Sequence, residues 1–220
     1  MQQINGHDAA FAVLNDPAFV VPPVPPADAG VAWLRATVGR FSTGAAHERR
    51  RALSTAILDA IPLSVLREHG PAHPVAILAR TMGIDEPVVD LVRDVAQAYH
   101  PGTGDEPTAG AAVARLVALL GGDYDEPTAA RIGVLVQACE PTAALIERAR
   151  RRHVEAALRD DPPVAATRRQ ALVRTTVGDV TVEAGEVVRV RLAGELAFGA
   201  GPHRCPGRAH ALALVEGAQA

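Results

Sequence analysis

The chain has 220 residues and a formal net charge of −3. That length suffices for one domain with a sizeable core, and the charge gives no basic footprint for nucleic acid. No apolar run is expected to reach the length of a membrane span, and the N-terminus carries Asp8 and Asp16 where a leader would be basic and apolar. The two cysteines, Cys139 and Cys205, make no disulfide framework, so a reducing cytoplasm is the expected location.

In chain order, residues 7–19 predict a short helix and a turn at Asp16-Pro17. Val21 to Ala27 is proline-rich and reads as an extended strap. Helices are predicted over 29–40, 45–60, 73–83 and 87–99, the last two separated by Gly83-Ile84-Asp85. His100 to Gly110 reads as a loop, and 109–120 as a helix closed by Gly121-Gly122. The longest periodic segment is 127–151, where Ile132, Leu135, Val136, Cys139, Ala143 and Ile146 fall on one stripe. A further helix over 152–160 stops at Pro162-Pro163. Residues 178–192 alternate around Ala184-Gly185 and predict a β-hairpin. A last helical run follows from Ala209 to Val215. The expected fold is mainly α with a small sheet, a single domain over 1–220. The arginine runs Arg49–Arg51, Arg148–Arg152 and Arg168-Arg169 read mostly as solvated helix faces.

The chemically richest segment is Phe198-Gly199-Ala200-Gly201-Pro202-His203-Arg204-Cys205-Pro206-Gly207. Its spacing of Phe, glycines, His and Cys fits a haem-thiolate loop, in which a thiolate is a strong axial ligand that favours oxygen–oxygen bond cleavage. Glycines there let the backbone approach a flat macrocycle and take positive φ. Backbone amides and the start of the following helix lower a thiol's pKa. Upstream, His47 and Arg51 stand four apart and share a helix face, a pairing suited to a carboxylate or phosphate. Alone, that pair reads sooner as ordinary charge on a surface helix.

The pattern F-G-x-G-x-H-x-C-x-G resembles the cysteine-loop signature of the cytochrome P450 superfamily, and the likeness covers most of the chain. It implies haem b as cofactor, Cys205 as the iron ligand, and Phe198, Gly199 and Gly207 as parts of the loop. His47 and Arg51 match the family's HxxxR helix, whose side chains contact a haem propionate. His203 and Arg169, ranked ahead of Arg168, match further propionate positions, and arginine pairs bidentately with carboxylate. Residues 127–151 resemble the long helix that crosses the distal face. There Ala138 matches the small residue beside oxygen and Glu140 the acid, while Pro141 replaces the threonine and Thr142 stands one step late. Glu140 and Thr142 are the candidate proton-relay pair.

Other departures concern size and the ExxR motif. The segment ahead of the long helix is too short for the usual substrate-covering helix pair, the meander before the cysteine loop is missing, and the chain ends soon after its last helix. Arg159 matches the ExxR arginine, but Ala156 holds the glutamate position and Glu155 is expected to pair with Arg159 as an i,i+4 neighbour. The resemblance implies a soluble bacterial-type monooxygenase that oxidises an organic, secondary-metabolite-like substrate with electrons from a ferredoxin-type partner. Pro141 keeps open a peroxygenase, peroxidase or dehydratase, and the lost glutamate keeps open a haem-free accessory protein that binds a partner enzyme. A reduced lid implies an exposed pocket, covered by a second copy or partner, or open to a substrate tethered to a carrier or peptide.

Overall fold

The computed structural model describes residues 1–70 and 72–219. After a two-residue strand β1 (Gln3–Ile4), helix α1 (His7–Asn15) starts behind Gly6 with Asp8 in its first turn and ends at Asp16-Pro17. Strand β2 (Phe19–Val20) leads into the proline-rich strap. Helix α2 (Gly30–Thr37) is followed by a 3-10 turn at 39–41, α3 (Gly44–Asp59) and α4 (Leu63–Arg67), which begins directly after Pro62. Pro74 opens α5 (Pro74–Thr81), and the His73 ring caps it by accepting the Val75 N–H at 3.2 Å. Helices α6 (Val89–Gln97) and α7 (Glu106–Leu119) come next. Helix α8 (Glu126–Ala149) starts where the Asp125 carboxylate accepts the Thr128 N–H at 2.8 Å. Helix α9 (Val154–Asp160), four strands and α10 (Arg208–Gly217) complete the chain.

Two compact units emerge, one from Met1–Pro23 with Arg148–Cys205, the other from Val24–Glu147 with Pro206–Ala220. In the first, strands β3 (Ala166–Ala171) and β6 (Val187–Arg191) run antiparallel, with Thr167 opposite Val190 and Arg169 opposite Val188. Strand β1 joins β6 in parallel and β2 flanks β3, giving the order β1-β6-β3-β2. Strands β4 (Thr175–Val177) and β5 (Val180–Val182) form a separate hairpin across Gly178, whose φ is +55°. The expected hairpin over 178–192 is therefore corrected. Its second half pairs with β3, and its first half turns back at Gly178 onto residues 175–177. Ile4, Val13, Leu14, Phe19, Val188 and Val190 fill the core of this unit.

The second unit is helical. Of the stripe read from the sequence, Ile132, Leu135, Val136, Cys139 and Ile146 of α8 are buried, and Ala143 is half-buried. The first four lie in one cluster with Leu34, Leu78, Val92, Val113 and Leu116; burying each leucine-sized side chain stabilises by about 1.5–3 kcal/mol. Among the described residues, α8 alone is long and apolar enough to cross a membrane, so the expectation of no such run fails by composition, although most of that helix is buried in protein. Helix α7 starts at Glu106, earlier than expected, because Pro107 fits a first turn as well as a loop. The buried Arg35 donates to the carbonyls of Ala98 and Tyr99 just past α6 and pairs with Glu106 at 2.8 Å. A paired charge at that depth satisfies carbonyls that the helix leaves without donors.

Candidate functional site

The cysteine segment closes on itself within the first unit. The Cys205 N–H donates to the Phe198 carbonyl at 2.8 Å, the Gly199 N–H to Leu196 at 2.8 Å, and the Arg204 N–H to Gly201 at 3.0 Å. Gly199 and Gly201 have φ of +73° and +65°. A Cβ on Gly201 would overlap the Leu14 carbonyl oxygen, so a residue without a side chain is required where the loop crosses the end of α1. Gly207 departs from the expectation of positive φ: at −89° it is already turning into α10 as its first cap. Phe198 and His203 are half-buried, and Cys205 is exposed. In the same unit Arg169 is buried on β3, its guanidinium donating to the Thr167 hydroxyl at 3.2 Å and to the Arg168 carbonyl at 2.8 Å, whereas Arg168 faces solvent. Alternation along the strand explains why one of two adjacent arginines is buried and the other is not.

In the second unit, α3 brings His47 and Arg51 onto one face, with His47 buried and Arg51 half-buried. The neighbouring arginines are committed elsewhere. Arg49 grips Glu126 through two hydrogen bonds of 2.7 and 2.8 Å, and Arg50 reaches Glu126 at 2.8 Å, the Ala36 carbonyl at 2.8 Å and the Ser42 hydroxyl at 2.7 Å. These contacts, the Arg49 hydrogen bond foremost, pull the Glu126 carboxyl down to about 2. Among the described residues Arg51 makes no hydrogen bond or ion pair, so its guanidinium stays available on the His47 face.

Helix α8 stays helical through Pro141. The proline has no N–H for the Gln137 carbonyl. Glu140 and Thr142 are not brought together: Thr142 is buried and Glu140 exposed, as a two-residue step on a helix dictates. Ala138, four residues before Thr142, shares its face. The Cys139 thiol donates to the Glu140 carboxylate at 3.8 Å, and burial first, then the Glu140 charge, push that thiol up to about 11. His73 and Arg93 belong to the same charged neighbourhood. Burial and then Arg93 hold the His73 imidazole below its ordinary value, while Glu140 and Asp90 act the other way. Neither residue was signalled by the sequence, because each comes from an element whose own pattern shows only a cap or a surface charge. The expected Glu155–Arg159 pair does not form; Arg159 turns to the adjacent Asp160 at 2.9 and 3.2 Å, a shorter reach from the end of α9.

No family model and no curated protein matches the sequence. Solved structures do match the fold. A thermophilic cytochrome P450 from Sulfolobus tokodaii superposes with a TM-score of 0.73 at 18% identity, over 98% of this chain and 84% of that one. P450BioI, in complex with hexadec-9Z-enoic acid ligated acyl carrier protein, gives 0.70 at 18% identity, over 96% and 81%. CYP164A2 from Mycobacterium smegmatis gives 0.62 at 20%, over 94% and 80%. The chain has a mainly α fold with a small sheet, and that fold is the cytochrome P450 fold.

Proposed function

We propose that the chain is a haem-thiolate oxidoreductase that oxidises an organic substrate, with Cys205 as the axial ligand of haem b. The observation that carries this reading is the loop from Phe198 to Cys205: closed by its own hydrogen bond, glycine-dependent at Gly201, and presenting an exposed sulfur. The residues present fit haem. Two carboxylates need compensating donors, and the chain offers the buried His47 and Arg169, the uncommitted Arg51, and His203. Phe198, Gly199 and Gly207 would frame the loop beside the macrocycle, and Ala138 would be the small residue of α8 that leaves room for oxygen. Haem, when bound, supplies a redox iron whose thiolate ligand favours oxygen–oxygen bond cleavage.

The chain's own part is to hold that sulfur, neutralise the propionates and deliver protons. Glu140, exposed to solvent, can pick up a proton; Thr142, on the Ala138 face, can hold one toward a bound substrate. Electrons would come from a ferredoxin-type donor in a bacterial cytoplasm. The acyl-carrier complex of P450BioI supports a carrier-tethered substrate as one option, beside a small free molecule or a peptide-bound one. A second copy of the chain would cover the exposed site.

Pro141 favours a second reading. With no threonine beside Glu140, a peroxide-driven or non-hydroxylating haem enzyme needs less of the missing relay. A haem-free accessory role would follow if Cys205 bound nothing. The test is the spectrum of the purified protein reduced with dithionite under carbon monoxide. A strongly red-shifted Soret band that Cys205→Ala abolishes is expected; no Soret band after reconstitution with haem would refute the reading. Turnover with a ferredoxin system against turnover with peroxide then separates the first two alternatives.

A further inference from the structure

We propose that Tyr99, Arg40 and the Phe41 ring form a carboxylate-binding subsite in the second unit, one that recognises an acid-bearing substrate. Tyr99 is 5% exposed, yet its hydroxyl oxygen has no hydrogen-bond partner among the described residues. A buried hydroxyl normally finds one, because leaving it unmet costs about 1–3 kcal/mol. Its ring packs edge-on against Phe41 at 5.2 Å between centroids, and the Arg40 guanidinium stands 5.9 Å from the same Phe41 centroid. Arg40 is half-buried and makes no hydrogen bond or ion pair among the described residues. An unused O–H donor and an unused guanidinium therefore share one aromatic neighbour. Together they match an acceptor that carries a negative charge.

The surroundings are rigid. Arg35 holds the carbonyls of Ala98 and Tyr99, and the single Thr103 O–H is shared between the carbonyls of Gln97 and His100, 2.8 Å from each, so the backbone on both sides of Tyr99 is tied down. On the other side, Arg50 binds the Ala36 carbonyl and the Ser42 hydroxyl, and Ser42 donates to Val38 at 2.6 Å, which fixes the turn that carries Arg40 and Phe41. The exposed His100 ring, 6.1 Å from Phe41 and 6.2 Å from Tyr99, marks where the cluster meets solvent. Burial keeps the phenol protonated and so able to donate, and Arg40 is the one charge acting against that. As a substrate contact the subsite rests on the oxidative reading above; as a carboxylate site it stands without it.

The test is calorimetric titration of the full chain, before and after haem addition, with decanoate and with decanol as the same alkyl chain lacking the charge. Decanoate should bind about tenfold or more tighter than decanol, and Tyr99→Phe and Arg40→Gln should each weaken decanoate about tenfold while leaving decanol unchanged, as for hydrogen bonds to a charged group. Tyr99→Phe keeps its fold because no protein group loses a partner. The chain has two tyrosines, so in a Tyr124→Phe background the ultraviolet difference spectrum on adding decanoate reads the Tyr99 hydroxyl directly. Decanoate that binds alongside haem assigns the subsite to a substrate acid; decanoate that haem displaces assigns it to a propionate and overturns the substrate role. Equal affinity for decanoate and decanol, or a Tyr99→Phe variant that binds decanoate like the wild type, overturns the subsite altogether. The titration without haem keeps these outcomes separate from any failure of Cys205 to ligate iron.

Discussion

Gly201→Ala and Gly199→Ala form a matched pair that tests whether the cysteine loop is held by the backbone crossing at α1. Both glycines have positive φ, and either substitution carries the left-handed penalty of about 1–2 kcal/mol. At Gly199 an added Cβ meets nothing nearer than the His203 carbonyl at 3.7 Å, so that penalty is the whole effect. At Gly201 the Cβ overlaps the Leu14 carbonyl oxygen and lies 3.1 Å from its carbon and 3.2 Å from Asn15 Oδ1. Backbone must move there, and overpacking of that kind adds about 1–3 kcal/mol, for a total of about 2–5 kcal/mol. For a chain of this size each kcal/mol is about 2–4 °C in melting temperature. Thermal unfolding should therefore rank wild type above Gly199→Ala and Gly199→Ala above Gly201→Ala, with the last gap at least about 2 °C. Because the crossing also places Cys205, haem affinity on the proposed haem-thiolate reading should weaken most for Gly201→Ala. Equal melting temperatures for the two variants would refute the crossing as the loop's anchor.

Glu126→Gln should lower stability by about 1–2 kcal/mol at neutral pH, less than a carboxyl shift from 4.5 to about 2 would give unscreened, because Arg49 is 58% exposed. The folded value is the depressed one, so this stability is present above about 4.5 and disappears as pH falls toward about 2; melting curves of wild type and variant should converge across that window, and a constant gap would contradict the pairing. Arg51→Ala should leave thermal stability within about 0.5 kcal/mol of wild type, since no partner among the described residues is lost; on the proposed haem-thiolate reading, haem affinity measured by titration should fall about tenfold. Glu140→Gln should bring the Cys139 thiol down from about 11, so alkylation of Cys139 at a fixed pH below that value proceeds faster in the variant; an unchanged rate would remove the carboxylate from the thiol's surroundings.

The parts legible in the sequence are those with local chemistry. The α8 stripe follows from 3.6-residue periodicity, the His47–Arg51 face from a four-residue step, and the loop before α10 from its glycine spacing, of which Gly201 is the position that admits no side chain. Strand β3 was not legible. Its inward positions are Thr167, Arg169 and Ala171, so the two-residue alternation is carried by a hydroxyl and a guanidinium in place of a run of apolar side chains. The partner of β6 was hidden for a different reason. Val187–Arg191 alternates as a strand should, but a strand's pattern fixes its faces and not its neighbour, and the nearest apparent mate, residues 180–182, is taken by 175–177. Tyr99 and Arg40 gave no signal because an unmet buried hydroxyl becomes visible only when every potential partner has a position.

The same geometry narrows what α8 can do. An acid and an alcohol that are adjacent in sequence lie about 100° apart around a helix and can hand a proton along one side of it; two residues apart, they lie about 200° apart. Glu140 faces solvent beside Cys139, and Thr142 is buried on the face of Ala138. A direct relay from Glu140 to Thr142 is therefore not built into this helix, and the Pro141 ring between them offers no N–H to bridge the step. On the proposed reading, if Thr142 hands the proton to bound dioxygen, it would have to receive it from a source other than a neighbouring acid. A peroxide-driven reaction makes a smaller demand, because peroxide brings its own protons and needs only one group to move them. On the proposed haem-thiolate reading, Thr142→Val should then suppress ferredoxin-dependent turnover far more than peroxide-dependent turnover, while Glu140→Gln affects the two alike. Equal loss in both assays on removing the Thr142 hydroxyl would place that side chain in packing and leave the proton path to another part of the chain.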